Sequence, residues 1–266
     1  MILENILQPS IDLIKQVGEF IHQKSLTFNT SSIEKKGFND LVSYVDKQAE
    51  EKLVDGLTII LPQSGFIAEE GTSNKKGDEY NWIIDPLDGT TNFTHGLPVY
   101  AISVALMKDK EIVLGIVYEI NRQECFYSVK GGKAFCNEQE INVSPINQLG
   151  DSLLATGFPY YDFEQMDKYL KILNEFMQST HGLRRMGSAA VDLAYVACGR
   201  FEGFFEYNLN AWDVAAGAFI VQQAGGSVTD FSGGSDYVFG REILAGCEVH
   251  SQILKVVKDH WDTSKE

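Results

Sequence analysis

Apolar positions along this chain change period several times, and the changes mark out its elements. Ile2, Leu3, Ile6, Leu7, Ile11, Ile14, Val17, Phe20 and Ile21 recur near helical spacing and predict an N-terminal helix. Pro9, which has no amide hydrogen to donate, is expected to kink or restart it. Lys35, Lys36 and Gly37 read as a polar stretch, after which Ala49, Leu53 and Leu57 share one face of a second helix beginning near Asp46. The period then shortens. Residues 65–68 and 82–84 are short apolar runs with the character of buried strands. Residues 100–107, 112–120 and 124–129 are β-rich and separated by polar turns, as an antiparallel meander requires. Lys130-Gly131-Gly132-Lys133 lacks phosphate-loop spacing and reads as the next hairpin turn.

A second half is expected from about residue 146. It holds a strand at 152–155, a helix over 163–178, the basic turn His181-Gly182-Leu183-Arg184-Arg185, and a small-residue helix over 187–197 closed by Gly199. An aromatic strand bearing Glu206 follows, then a helix from Asn210 to Gly225-Gly226 with Asp213 at its start, strands near 227–229 and 243–245, and a closing helix at 250–258. The pattern predicts an α+β (mixed α/β) fold: one unit over 1–266, made of two packed halves, 1–145 and 146–266. No repeat, low-complexity tract or long linker interrupts it.

Composition narrows the function. Of 266 residues 44% are hydrophobic, enough for a full core, and 37 acidic against 22 basic residues leave a net charge of −15. So acidic a chain is a poor general surface for nucleic acid or anionic membrane, and neither partner is expected. No apolar run approaches the roughly 20 residues of a membrane span, and the N-terminus lacks the pattern of a secretory leader. Cys125, Cys136, Cys198 and Cys247 show no Cys-x-x-Cys spacing and read as reduced structural thiols; a cytoplasmic location is expected.

The chemistry lies where strands run into acids. In Trp82-Ile83-Ile84-Asp85-Pro86-Leu87-Asp88-Gly89-Thr90-Thr91-Asn92-Phe93 the strand is expected to stop at Asp85, because Pro86 cannot continue a ladder. Two carboxylates in one turn repel unless they share protons or a cation, and hard oxygen ligands favour magnesium, calcium or manganese, with magnesium the choice. The amides of Gly89, Thr90 and Thr91 would open a helix and suit a phosphate oxygen. Asp-Pro-Leu-Asp-Gly-Thr is also an ordinary turn on its own. Further acids shift the balance: Glu69-Glu70 closes the run at 65–68, with Glu69 turned toward the site, and Asp213 opens a tightly packed helix beside Trp212. Asp46 also suits a plain N-cap. The polar loop 73–79 is expected to fold over the site.

Together, Glu69-Glu70, the Asp85 to Phe93 motif, Trp212-Asp213, Asp40-Leu41-Val42-Ser43 ahead of Asp46, Gly187-Ser188-Ala189-Ala190 and Gly225-Gly226 resemble the inositol monophosphatase family of magnesium-dependent, lithium-sensitive phosphatases. The resemblance covers nearly the whole chain. It implies a layered α/β/α/β/α sandwich of the sugar-phosphatase type, a homodimer, and two or three Mg2+ held by Glu69, Asp85, the Leu87 carbonyl, Asp88 and Asp213. It further implies that Asp46 and Thr90 help Glu69 orient a water, that the Gly89 and Thr90 amides hold phosphate, and that Asp88, Ala189, Glu206 and Asp213 meet the substrate. That substrate would be a small phosphorylated polyol or sugar, inositol 1-phosphate first. Fructose-1,6-bisphosphatase, bisphosphate nucleotidase and histidinol-phosphatase activities share the scaffold. Thr91-Asn92-Phe93 stands where bisphosphate nucleotidases carry Lys-Glu-Phe, which favours the monophosphatase, whereas Arg184 and Arg185 could clamp a second anion. A non-catalytic metal-binding regulatory protein is the reading from a different class; retention of every expected acid counts against it.

Overall fold

The two N-terminal helical periods become α1 (Ile2–Ser25) and α2 (Tyr44–Ile60) in the computed structural model, which describes residues 2–28, 33–37, 40–160 and 162–261. Rather than restarting at Pro9, α1 runs through it. Ile6, Ile11, Ile14, Val17 and Ile21 are buried along one face, and at about 1.5–3 kcal/mol each they outweigh a proline penalty of about 3 kcal/mol. Pro9 and Asn5 are both exposed, so water can satisfy the Asn5 carbonyl that loses its helical partner. Between the helices, β1 (Ile33–Gly37) and β2 (Asp40–Ser43) pair as an antiparallel ribbon where the sequence reads only as polar. The side chains of Lys35 and Lys36, and of the Asp40 to Ser43 run that helps carry the resemblance, lie outside the described residues.

A seven-stranded sheet follows: β3 (Gly65–Ala68), β4 (Tyr80–Asp88), then after the short α3 (Thr90–Thr94) the meander β5 (Ala101–Lys108), β6 (Glu111–Glu119), β7 (Glu124–Val129), β8 (Ala134–Cys136) and β9 (Gln139–Ile141). The strands lie in chain order, with β3 parallel to β4 and the rest antiparallel. The remainder comprises β10 (Leu153–Thr156), α4 (Met166–Ser179), β11 (Gly182–Arg184), α5 (Ala189–Ala197), β12 (Gly203–Tyr207), α6 (Ala211–Gln223), β13 (Ser227–Thr229), β14 (Glu242–Gly246) and α7 (His250–Trp261). Its strands form a second sheet in the order β11, β10, β12, β14, β13.

Strand alternation decides which layer each side chain joins. Trp82 and Ile84 face the core under α1 and α2, while Ile83 between them faces α5 and α6. In the second sheet Phe204 and Ala245 face α5 and α6, and Phe205 and Leu244 face α4 and α7. The layers are therefore α1 and α2, the large sheet, α5 and α6, the small sheet, and α4 and α7: the expected α/β/α/β/α sandwich. Both sheets have both faces covered, which explains why so many strands read as nearly continuous apolar runs.

β4 does not stop at Asp85. It pairs with β5 as far as Asp88 opposite Ala101, with the register slipping between Asp85 and Asp88. Pro86 is accommodated in that irregularity, and the Leu87 amide donates to Asp85 Oδ1 at 2.9 Å instead of to the ladder.

Candidate active site

The bulge in β4 is where the acids gather. Because β3 runs parallel to β4 and ends with Ala68 opposite Ile84, the Glu69 amide donates to the Ile84 carbonyl at 3.2 Å, which brings Glu69 beside Asp85. The turn after Glu69 is held by buried Glu50 of α2, whose carboxylate accepts from the Glu70 amide at 2.7 Å and from the Thr72 amide and hydroxyl, both at 2.8 Å. Asp46 lies within the first turn of α2 rather than capping it, 1% exposed, and its Oδ1 is 2.9 Å from Thr90 Oγ1. The same hydroxyl is 3.1 Å from the Leu87 carbonyl. Gly89 sits at φ 97°, and a Cβ there would lie 3.0 Å from the Val99 carbonyl, so the step from β4 into α3 requires glycine.

The other acids come from the second half of the chain. Asp88 Oδ2 accepts from Ser188 Oγ at 2.7 Å and from the Ala190 amide at 2.6 Å, at the start of α5. Asn92 ties down the approach to that helix, its Nδ2 donating to the carbonyls of Val99 at 2.7 Å and Met186 at 2.8 Å. Asp213, in the first turn of α6, accepts from the Asn210 amide at 2.6 Å. Ser103 on β5 donates to the Trp212 carbonyl at 2.9 Å and fixes that helix start against the large sheet.

Asp85, Asp88 and Asp213 each present an oxygen within 4.8 Å of the others. Burial, followed by the charges of Glu69, Asp88 and Asp213, holds the Asp85 carboxyl well above the usual carboxylate range. Asp88 and Asp213 keep an edge open to a cavity, yet the surrounding protein strips most of their hydration and raises them to about 6 and about 7; hydrogen bonds from Ser188 and Ala190 restrain Asp88, and the Asp88 charge adds to the rise at Asp213. Three crowded carboxylates, two at the end of a buried strand and one at the start of α6, repel one another unless they share a proton or a cation. The all-oxygen donor set fits a hard divalent cation.

The acids border a cavity of about 380 Å³. Its lining includes Glu69, Asp85, Leu87, Asp88, Gly89 and Thr90 from the first half of the chain and Ala189, Glu206, Asp213 and Arg185 from the second. Asp46 reaches it through Thr90. Arg184 is not among the lining residues; it is exposed on β11 and donates to the Leu183 carbonyl at 2.9 Å. Arg185 lies over the rings of Phe158 and Tyr160, 5.9 and 5.7 Å from their centroids, and donates to the Tyr160 hydroxyl at 3.0 Å. Burial pushes the Glu206 carboxyl up to about 8, with Arg185 opposing and Asp213 and Asp88 reinforcing the rise. Gly157 makes room for it: a Cβ at that position would overlap both Glu206 carboxylate oxygens.

The loop 73–79 does not fold over this cavity. Phe66 donates to the Lys75 carbonyl at 2.8 Å, Lys75 Nζ reaches the Pro62 carbonyl at 2.7 Å, and the Asn81 side chain binds Gly77, so the loop runs alongside β3 instead. Sequence reasoning also misses Glu50, Ser103, Asp192 and the segment 157–160. Asp192 does carry a signal, an acid inside an otherwise apolar helix; the others carry none. Cys125, Cys136, Cys198 and Cys247 are free, with Cys125 and Cys247 buried. No helix among the described residues is long and apolar enough to cross a membrane.

Known proteins resemble this chain over most of its length. Residues 2–262 match the inositol monophosphatase family. The inositol-1-monophosphatase of Mesorhizobium japonicum is 41% identical over 225 residues, 84% of this chain and 85% of its own. The Nus factor SuhB of Escherichia coli is 38% identical over 242 residues, 91% of either chain. The solved IMPase of Thermotoga maritima matches with a TM-score of 0.87 at 37% identity, over 96% of this chain and 98% of its own. With strand-end acids, a layered sandwich and end-to-end similarity in agreement, the chain belongs to the inositol monophosphatase family.

Proposed function

We propose that this protein is a magnesium-dependent phosphate monoester hydrolase that prefers inositol 1-phosphate or a similar polyol monophosphate. Family membership supports a phosphatase acting on a small phosphorylated molecule. The observation that carries the metal-dependent reading is the trio Asp85, Asp88 and Asp213, three carboxylates whose oxygens lie within 4.8 Å of one another at one cavity.

Those three acids, with Glu69 and the Leu87 carbonyl, would hold two or three Mg2+. When bound, the metal supplies Lewis acidity and activates water for in-line displacement at phosphorus. The chain's own residues do the positioning. Thr90, held by Asp46, would orient the attacking water together with Glu69. The Gly89 and Thr90 amides hold phosphate oxygens as negative charge grows on them. Ala189 and Glu206 face the alcohol that leaves. Of the two arginines only Arg185 lines the cavity, and its guanidinium is already engaged with Tyr160, so a two-arginine clamp for a second phosphate is not assembled.

Asp85→Asn should nearly abolish turnover, because the amide brings no charge to the metals that Asp85 would help to hold. Substantial phosphate release by the folded variant would remove Asp85 from that role. Values of kcat/KM for inositol 1-phosphate, fructose 1,6-bisphosphate and adenosine 3′,5′-bisphosphate test the substrate; a bisphosphate preference that collapses in Arg185→Ala would overturn it. Lithium should inhibit at fixed magnesium.

Relatives named Nus factors favour a second reading, a partner-binding role alongside hydrolysis. Such a role would survive Asp85→Asn, whereas hydrolysis would not.

A further inference from the structure

Asp192 lies in the first turn of α5 among Ala, Val, Leu and Tyr side chains, all of them buried. It is 1% exposed, it lines the same cavity, and its Oδ1 has no hydrogen-bond partner. An acceptor sealed without a donor costs about 1–3 kcal/mol. The helix does not need this acid locally. Ser188 caps α5 by accepting from the Val191 amide, and the Asp192 amide is already bonded to the Ser188 carbonyl. Two further buried polar atoms without a partner among the described residues, Asn208 Nδ2 and Trp212 Nε1, also belong to residues that line this cavity. The residues that carry one orphaned acceptor and two orphaned donors therefore line the same cavity as Glu206.

A ligand that answers both kinds of group must both donate and accept hydrogen bonds. Phosphate oxygens chiefly accept, and a hydrocarbon does neither. Alcohol hydroxyls do both. We propose that Asp192 is a specificity residue which, beside Glu206, pairs with a hydroxyl of the leaving alcohol, so that the cavity selects polyhydroxylated monoesters over plain ones. The proposal rests on the phosphatase reading given above. Its electrostatics agree: burial first, then the charges of Glu206 and Asp88, push the Asp192 carboxyl well up against the pull of Arg185. A neutral carboxyl is tolerable in a dry site and can serve a hydroxyl in either direction.

The test compares inositol 1-phosphate with phenyl phosphate, whose leaving group carries no further hydroxyl, in the parent, Asp192→Asn and Asp192→Leu. The ratio of kcat/KM values, inositol ester over phenyl ester, should fall about tenfold or more in Asp192→Leu, the loss of one well-made hydrogen bond. Asp192→Asn, which keeps an acceptor oxygen, should lie between. A second measurement needs neither turnover nor metal: free myo-inositol at tens of millimolar should raise the parent's Tm, and Asp192→Leu should lose that rise. Equal losses on the two esters would mean a structural role and overturn the proposal, as would an unchanged ratio. A parent that cleaves neither ester yet keeps an Asp192-dependent inositol shift would overturn the phosphatase reading and leave the hydroxyl subsite standing. Absence of that shift in the parent, or its persistence in Asp192→Leu, would overturn the subsite.

Discussion

Single residues set the geometry around the reacting groups. Gly157 supports Glu206 by having no side chain, since a Cβ there would overlap the carboxylate. Gly157→Ala should therefore displace Glu206 and lower the preference for inositol 1-phosphate over phenyl phosphate about tenfold, equivalent to about 1.4 kcal/mol. An unchanged ratio would show that Glu206 makes no contact with the leaving alcohol. Thr90 is a second case. Its hydroxyl lies 2.9 Å from Asp46 and 3.1 Å from the Leu87 carbonyl, so its orientation is already chosen by protein groups. Thr90→Ala and Glu69→Gln should each lower kcat more than they raise KM, and the double variant should resemble the worse single one. Losses that multiply independently would argue against one shared water.

At the scale of elements, the site depends on how closely α5 and α6 approach. α5 presents Ser188 and the Ala190 amide to Asp88, and α6 carries Asp213. Gly217 permits that approach: a Cβ at this position would lie 2.6 Å from Leu193 Cβ, well inside contact distance. Glycine to alanine in a helix interior ordinarily gains about 1 kcal/mol. Overpacking a tight core costs about 1–3 kcal/mol, so the steric effect should win. Gly217→Ala is expected to lower the denaturant midpoint and to raise the magnesium needed for half-maximal activity, as the two helix starts are pushed apart. A more stable variant with parent-like magnesium dependence would show that the helices can shift without disturbing the acids.

For the whole molecule, the crowded acids link stability to pH and to metal. Asp88, Asp213 and Glu206 are raised from ordinary values of 3.8, 3.8 and 4.5 to about 6, about 7 and about 8 in the fold. Raised carboxyls make the folded state bind more protons than the unfolded chain. Their contribution is fully present below about pH 4 and is lost as pH rises through the folded values. Metal-free protein should thus lose stability from about pH 4 to pH 8. A divalent cation offsets the repulsion, so the rise in Tm on adding magnesium should be larger at pH 8 than at pH 5. A magnesium effect independent of pH would separate metal binding from these acids.

Much of the fold is legible in the chain because its causes are local. Helical spacing from Ile6 to Ile21, the polar turns of the meander, and runs of apolar residues ending at Glu69 and Asp85 depend on nearest neighbours, and they mark the strand-end acids as candidates, while the full ligand set comes from the family resemblance. Other features depend on contacts across the chain. Pro86 has the local character of a strand end, yet pairing with β5 carries β4 through it to Asp88. The loop 73–79 has the composition of a cover for the site, but bonds to Phe66 and Pro62 lay it alongside β3. Nothing local separates Arg184 from Arg185, although only the second borders the cavity. The sequence by itself determined the order and type of most elements and the strand-end acids among the candidates for chemistry. Only the tertiary structure brought Asp88 to Ser188 and Thr90 to Asp46, because residues 100 and 44 positions apart meet when layers pack, and periodicity along the chain does not encode that packing.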